Sequence, residues 1–373
     1  MAKNLFCLLV ISALALLTLV SGCGTERPID DRAMIFSLAF DTAPHHQVAV
    51  TAERVSPLSS VNSTITGPGG SAGSPEIFFH GVSQTLAGSL GEMVDSSPGD
   101  IDLTNLSIIV VSQAYAQRYG LSIPLQLARQ RGQTRLGAYL FVSQGSAAAI
   151  LRSNPQTDSG SAFRQLYLAE AGNSPDHPEI LNTELWQALR STFEPEEGLV
   201  TPLISSTPNG TITFRGAALF NGKIMSGILT RQEAAIFGTV RRLEPGLILT
   251  LPANPGPVVA RISSVHPRIA ILPGPRVLIK VRAHMTAIEY PNWVALSATE
   301  LHQLSQEAAQ ELNQQISKTY NVMRQTDTDG FSVGVSLRNN QSALWTQVRE
   351  TWPKDLKSWP YQVQTQVTVT QSS

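Results

Sequence analysis

The sequence predicts a mixed α/β (α+β) fold of about three domains, each a mostly antiparallel or mixed sheet with helices packed on it. Three observations carry that prediction. Residues 34–40 and 106–111 are short, nearly continuous apolar runs bounded by turn residues, the pattern of strands buried on both faces. Val277, Ile279, Val281, Ala283 and Met285 alternate over a long strand, and Tyr361, Val363, Thr365, Val367 and Val369 alternate to the C-terminus. Between them Leu301, Leu304, Ala308, Leu312 and Ile316 form one stripe at helical spacing, opened by Ser297 and Glu300 in a capping box. A long helix crossing between alternating strands predicts a helix packed on one face of a sheet.

In chain order, the 34–40 strand is followed by a turn over 41–46, where Pro44 resists both helix and strand interiors. Val48, Val50 and Ala52 then alternate as a partner strand. Residues 62–75 carry Gly67-Pro68-Gly69-Gly70 and read as a loop. Val82, Leu86, Leu90 and Val94 recur at helical spacing, ending near Pro98-Gly99. After the 106–111 strand come a helix to Tyr119, a stop at Gly120 and a helix over 122–131. A strand over 136–142 and helices over 147–151, 162–169 and 181–189 complete the first part. Residues 211–220 and 224–229 pair across Asn221-Gly222, a type I′ hairpin signal, and Thr230 with Glu233 caps the next helix. Strands over 247–251, 258–262 and 268–272 are separated by prolines. The composition shift near 195–208, rich in Pro, Ser and Thr, marks a boundary. The predicted organisation is a leader over 1–22, an N-terminal α/β domain over 23–200, a hairpin-helix domain over 201–250, and a sheet with a long helix over 251–373.

The first 22 residues have a different character. Lys3 precedes an almost wholly apolar segment from Leu5 to Val20, followed by Ser21, Gly22 and Cys23. A basic start, a short apolar stretch and small residues before a cleavage point make an export signal. A cysteine directly after Val20-Ser21-Gly22 is the lipobox pattern of bacterial lipoproteins, in which the thiol is diacylated and the chain is cut before it. The expected mature chain starts at Cys23, hangs from the extracytoplasmic face of a membrane by a diacylglycerol with or without an N-acyl chain, and needs no other cofactor. Each buried CH₂ contributes ~0.8 kcal/mol, so two or more chains anchor durably.

Composition narrows the chemistry. The 373 residues carry 27 Lys and Arg against 28 Asp and Glu, which gives no nucleic-acid footprint. Both cysteines, Cys7 and Cys23, lie in the export segment, so a body without thiols has no disulfide, thiolate metal site or cysteine nucleophile. No Gly-x-Ser-x-Gly elbow is present, and Gly67-Pro68-Gly69-Gly70 lacks the Lys-Ser/Thr of a phosphate loop. Asp327-Thr328-Asp329-Gly330 resembles the start of a calcium loop, but the next acid, Glu350, is too distant, so a polar turn is expected. His45-His46 read as turn histidines, and the acid pairs Asp30-Asp31, Asp100/Asp102 and Glu196-Glu197 as caps or turns. Trp345, Trp352 and Trp359 recur every seven residues, the last two each followed by proline. They predict either a loop pinned by aromatic anchors or a partner-docking or membrane-interface edge.

Several segments, in order, resemble one family. Gly22-Cys23, then Arg27-Pro28-Ile29-Asp30-Asp31 and a strand ending in Asp41, are similar to its opening. Residues 105–151 follow its order of strand, Gly120, an arginine-bearing turn around Arg131 and Arg135, a second strand and an Ala-rich helix. The Gly216 to Leu229 segment looks like its G-x-A-x-F-x-x-x-K/R-x-x-G-x-L hairpin, and Asp329-Gly330-Phe331 and Trp352-Pro353 resemble its close. The family is Ger(x)C, the C-subunit lipoproteins of bacterial spore nutrient-germinant receptors. The resemblance implies a non-enzymatic subunit of three mixed α/β domains on the inner spore membrane, partnered by the receptor's polytopic membrane subunits. The alternatives are a solute-binding lipoprotein of an importer, or an exported hydrolase without a recognisable nucleophile.

Overall fold

The computed structural model describes residues 32–54, 77–97, 99–127, 134–153, 181–241, 246–253, 256–291 and 295–371. Val20, Ser21, Gly22 and Cys23, the 62–75 loop and the 162–169 helix lie outside them.

The first sheet contains β1 (Arg32–Thr42), β2 (Val48–Arg54), β3 (Ile77–Ser83), β4 (Asp100–Asp102), β5 (Ile108–Ser112), β6 (Tyr139–Ser143), β7 (Val200–Ser206), β8 (Ile212–Asn221) and β9 (Ile224–Thr230). Its order is β3-β2-β1-β5-β6-β7-β8-β9, with β4 beside the start of β1. The centre, β1-β5-β6-β7, is parallel and both flanks are antiparallel. Leu38, Phe40, Ile109, Val111, Leu140 and Val142 face one core, while Ala39, Ile108, Val110 and Phe141 face another. Burial on both faces is why these strands read as continuous apolar runs.

The helices of this part are α1 (Leu86–Ser96), α2 (Gln113–Arg118), α3 (Pro124–Leu127), α4 (Ala147–Leu151) and α5 (Leu185–Ser191). The α1 stripe differs from the expected one. Val82 belongs to β3, and the buried residues are Leu86, Ser89 and Met93, with Val94 43 % exposed. The cause is close packing on β3, where a Cβ on Gly81 would stand 2.1 Å from the Ser89 carbonyl oxygen. Small residues let the helix down onto the strand and turn Val94 outwards.

The second sheet is β10 (Ile248–Leu251), β11 (Val258–Leu272), β12 (Arg276–Glu289) and β13 (Tyr361–Gln371), in that order. β12 and β13 are parallel, joined by a crossover that contains α7 (Ala298–Gln325), α8 (Val333–Asn340) and α9 (Ser342–Val348). The Ser297–Glu300 capping box opens α7, and Leu304, Ala308, Leu312 and Ile316 are buried, with Tyr320 and Met323 extending the stripe. Full burial of each such Leu or Ile contributes ~1.5–3 kcal/mol. The two proline-separated strands expected over 258–272 are one strand, β11, running through Pro267. β10 pairs only with residues 258–261, so Pro267 lies where β11 has no strand on its second side and a missing N–H breaks no ladder bond.

Segment 201–250 joins the two parts. Its strands β7, β8 and β9 continue the first sheet, while α6 (Arg231–Arg241), opened by Thr230 and Glu233 as expected, shares one core with the second sheet and α7. The β8–β9 turn differs by one residue from expectation. Asn221 pairs with Ile224, so Gly222 and Lys223 are the central residues. Only Gly222 has positive φ, at 58°, the type II′ pattern and not I′. A bulge between Leu219 and Phe220 shifts this register.

Candidate functional site

Three segments that carry the family resemblance, Gly216 to Leu229, Asp329 to Phe331 and Trp352-Pro353, are far apart in sequence yet meet where the two sheets join. The loop between α7 and α8 makes the meeting point. Thr326 ends α7, its N–H donating to the Val322 and Met323 carbonyls, and Asp327 and Ser332 then take left-handed φ values of 52° and 56°. Between those two reversals the chain presents Thr328, Asp329, Gly330 and Phe331, all buried.

Asp329 is the centre. Its carboxylate accepts from the first two amides of α8, Val333 N at 2.8 Å and Gly334 N at 2.7 Å, and from Trp352 Nε1 at 3.0 Å. It thereby caps α8, since Ser332 at the formal N-cap position makes no side-chain cap bond. Its own carbonyl accepts from Gly198 N at 3.0 Å, which reaches across to the first sheet just before β7. Thr328 Oγ1 donates to the Phe220 carbonyl at 3.2 Å and lies 3.1 Å from Ser226 Oγ in the β8–β9 bulge. Phe331 stacks between Phe237 of α6 and Tyr320 of α7, with centroids at 6.2 and 5.8 Å and planes within 6° and 3°.

This approach requires glycine. A Cβ on Gly198 would lie 2.7 Å from Asp329 N, and one on Gly334 2.6 Å from Glu196 Cβ and 2.7 Å from Trp352 Nε1. Both obstacles are backbone or tightly packed atoms that cannot rotate away. Glu196 pairs with Arg338 of α8, a second bridge between the two parts.

Electrostatics set the character of the site. Burial dominates at Asp329 and raises its pKa to about 6, while the Gly334 and Val333 amides, Trp352 and the nearby Arg241 pull the other way. Burial also raises the Tyr320 phenol. A carboxylate enclosed in this way holds chain segments together. A cleft of about 200 Å³ opens beside this junction between α5 and α6, with Trp186, Arg190, Gly198, Arg241 and Gly330 in its walls.

The three tryptophans form one edge-to-face ladder, Trp345–Trp352 at 5.7 Å and Trp352–Trp359 at 5.4 Å. Trp352 and Trp359 are only 5 % and 7 % exposed, and Trp345 packs against the same core. The anchor reading describes them, whereas an exposed docking edge needs free indole faces that these two lack. Arg324 holds the strap that carries them, donating to the Leu356, Lys357 and Trp359 carbonyls at 2.6, 2.6 and 3.0 Å.

The other sequence candidates separate. Asp327 pairs with Lys357 at 2.9 Å and points away from Asp329's ligands, so the two acids do not converge on a cation. His45 and His46 occupy the β1–β2 turn at φ 54° and 60°, and His46 Nδ1 lies 3.0 Å from the Arg118 guanidinium. Among the described residues no group of three His, Cys, Asp or Glu is arranged to hold a metal. Asp41, closing β1, accepts from Ser146 Oγ and the Ala147 and Ala148 amides at 3.0, 2.9 and 2.9 Å, so it ties β1 to the start of α4. Sequence reasoning missed Asp329 as a buried hub. The available signal was an acid flanked by Gly330, Phe331 and Val333, an apolar setting unusual for a solvated turn.

Comparison with known proteins covers nearly all of this architecture. Residues 25–206 match the family described as spore germination protein N-terminal domain, and residues 215–373 match the family described as spore germination B3/GerAC-like, C-terminal. Between the two matches lie residues 207–214, the β7–β8 turn and the start of β8. No curated protein matches the chain. The crystal structure of the GerBC protein shares the fold, with a TM-score of 0.59 at 14 % identity over 89 % of this chain and 96 % of that one. The chain therefore belongs to the Ger(x)C family of spore germination proteins.

Proposed function

We propose that this chain is the C-subunit lipoprotein of a nutrient-germinant receptor, tethered through Cys23 and acting without chemistry of its own. In this role it assembles with the receptor's polytopic membrane subunits and couples their signal. The observation that carries the reading is the convergence of three family-like segments on a buried junction. Gly216 to Gly227, Asp329-Gly330-Phe331 and Trp352 fasten two sheets together, an arrangement suited to transmitting force or orientation and not to turning over a substrate.

No described helix is long and apolar enough to cross a membrane. Retention at the membrane in this reading falls to the acylated Cys23. Substituting Cys23→Ala should release the chain from the membrane fraction; an unchanged membrane share in the variant would overturn the tether. The importer reading has one observation in its favour, the 200 Å³ cleft lined by Trp186 and Arg190. A small molecule that raises the melting temperature of wild type, with the effect lost in Trp186→Ala, would favour it, because ligand bound to the native state stabilises that state.

A further inference from the structure

The second sheet has two unlike faces. On β12, Val277, Ile279, Val281, Ala283 and Met285 are buried in the core shared with α7. Of the alternate positions, Arg276, Lys280, Arg282 and His284 are exposed, with Leu278 buried among them. The β11 register adds to the same face: Lys280 stands directly opposite Arg268, and Arg282 opposite His266, both exposed. On the other side Gln364 and Gln366 of β13 stand beside Lys280 and Arg282 and are also exposed. The only acid in the four strands is Glu289, at the far end of β12. In a chain of 27 basic and 28 acidic residues this is a marked segregation of charge.

Like charges directly opposite on neighbouring strands destabilise a sheet. The described residues place no carboxylate against Arg268, Arg276, Lys280 or Arg282, so the repulsion is met by solvent or by an external anion. Along β12 the cations from Arg276 to Arg282 span roughly 20 Å at ~3.3 Å per residue. The centre of a protein–protein interface is depleted in charge and enriched in large apolar residues, and this surface has the opposite composition. At its β10 end Ile248 and Ile288 are 44 % and 38 % exposed. A broad, flat, cationic surface with two apolar side chains at one end complements a planar array of phosphates.

We propose that this face of the second sheet rests on an anionic phospholipid surface, with Arg268, Arg276, Lys280 and Arg282 meeting headgroup phosphates. The proposal rests on the tethered reading above: the acyl chains hold the protein at the bilayer, and the basic face sets which side lies down. Each basic residue near an anionic surface strengthens association about fivefold. Four of them favour the lying orientation by roughly 600-fold, and salt screens the preference.

The test uses the full chain with Cys23 intact, recovered from membranes and reconstituted into nanodiscs. Gln364→Cys carries a fluorophore on the proposed face, and the disc lipids carry a headgroup quencher. Retention on the disc reports the tether, and quenching reports the face. The expected result is strong quenching on phosphatidylglycerol discs, lost on phosphatidylcholine discs, in high salt, or in Lys280→Glu/Arg282→Glu, with retention unchanged throughout. Equal quenching on both lipids, or quenching indifferent to charge reversal, overturns the proposal. So does an unquenched face that crosslinks instead to an acidic segment of another protein. If wild type elutes apart from both discs the tether reading fails. Co-sedimentation with phosphatidylglycerol vesicles then decides the face, charge-dependent binding sustaining the proposal and its absence overturning it.

Discussion

Replacing Asp329 by asparagine tests whether one buried carboxylate governs the junction between the sheets. The folded-state pKa of about 6 lies above the ordinary value of 3.8 because burial disfavours the charged form. For an acid shifted upwards the folded state binds the proton more tightly than the unfolded chain. Its contribution to stability therefore grows as pH falls through 6 and levels off below the unfolded value. At 1.36 kcal/mol per unit, the ionised group disfavours the fold by about 3 kcal/mol at neutral pH, and about 2 kcal/mol of that is recovered between pH 7.5 and 4.5. Asparagine buries no charge, but its amide NH₂ must face one of the three N–H groups that Asp329 accepts, which costs about 1–3 kcal/mol. Near pH 7.5 the variant and wild type should therefore differ by less than about 2 kcal/mol. Urea unfolding of both proteins across pH 4.5–7.5 gives the difference free of the other titrating groups they share. Wild type should gain about 2 kcal/mol on the variant as pH is lowered. A difference constant within about 0.5 kcal/mol over the whole range would refute the reasoning.

Two further substitutions test the structure at single points. Gly198→Ala drives a methyl group against the Asp329 backbone and should destabilise by about 1–3 kcal/mol, seen as a lowered thermal midpoint; an unaltered midpoint would mean that the two segments do not touch. Asp41→Ala removes the acceptor for two amides at the start of α4 and should cost about 1–2 kcal/mol in urea unfolding, with Asp41→Asn recovering part of it.

What the sequence revealed depended on how far each signal reaches along the chain. Capping boxes at Thr230/Glu233 and Ser297/Glu300 are complete within four residues, and both form as read. The α7 helix and the long β12 strand were legible for the same reason: their periodicity is local. The β8–β9 turn was misplaced by one residue because its register is set by a bulge at Leu219/Phe220 and by strand pairing that no four-residue window contains. Segment 201–250 shows the same limit on a larger scale. Its composition shift is real, but whether β7 joins the first sheet depends on Leu203 pairing with Val142, about sixty residues earlier. The seven-residue spacing of the tryptophans was visible and its direction was not, since inward and outward ladders have the same period. Asp329 was read as a solvated turn because its partners are the α8 amides, an indole 23 residues on, and Gly198 across the junction. Only the tertiary structure supplies the burial that gives this acid its role.

The central claim is that this chain works as one subunit of a membrane receptor in the spore. The most direct measurement is crosslinking of the tagged full chain in spore inner membranes, followed by solubilisation, pull-down and mass spectrometry. The account predicts recovery of two polytopic membrane proteins in constant ratio to this chain. Recovery of importer components, or of the chain alone under crosslinking that captures other membrane complexes, would contradict it.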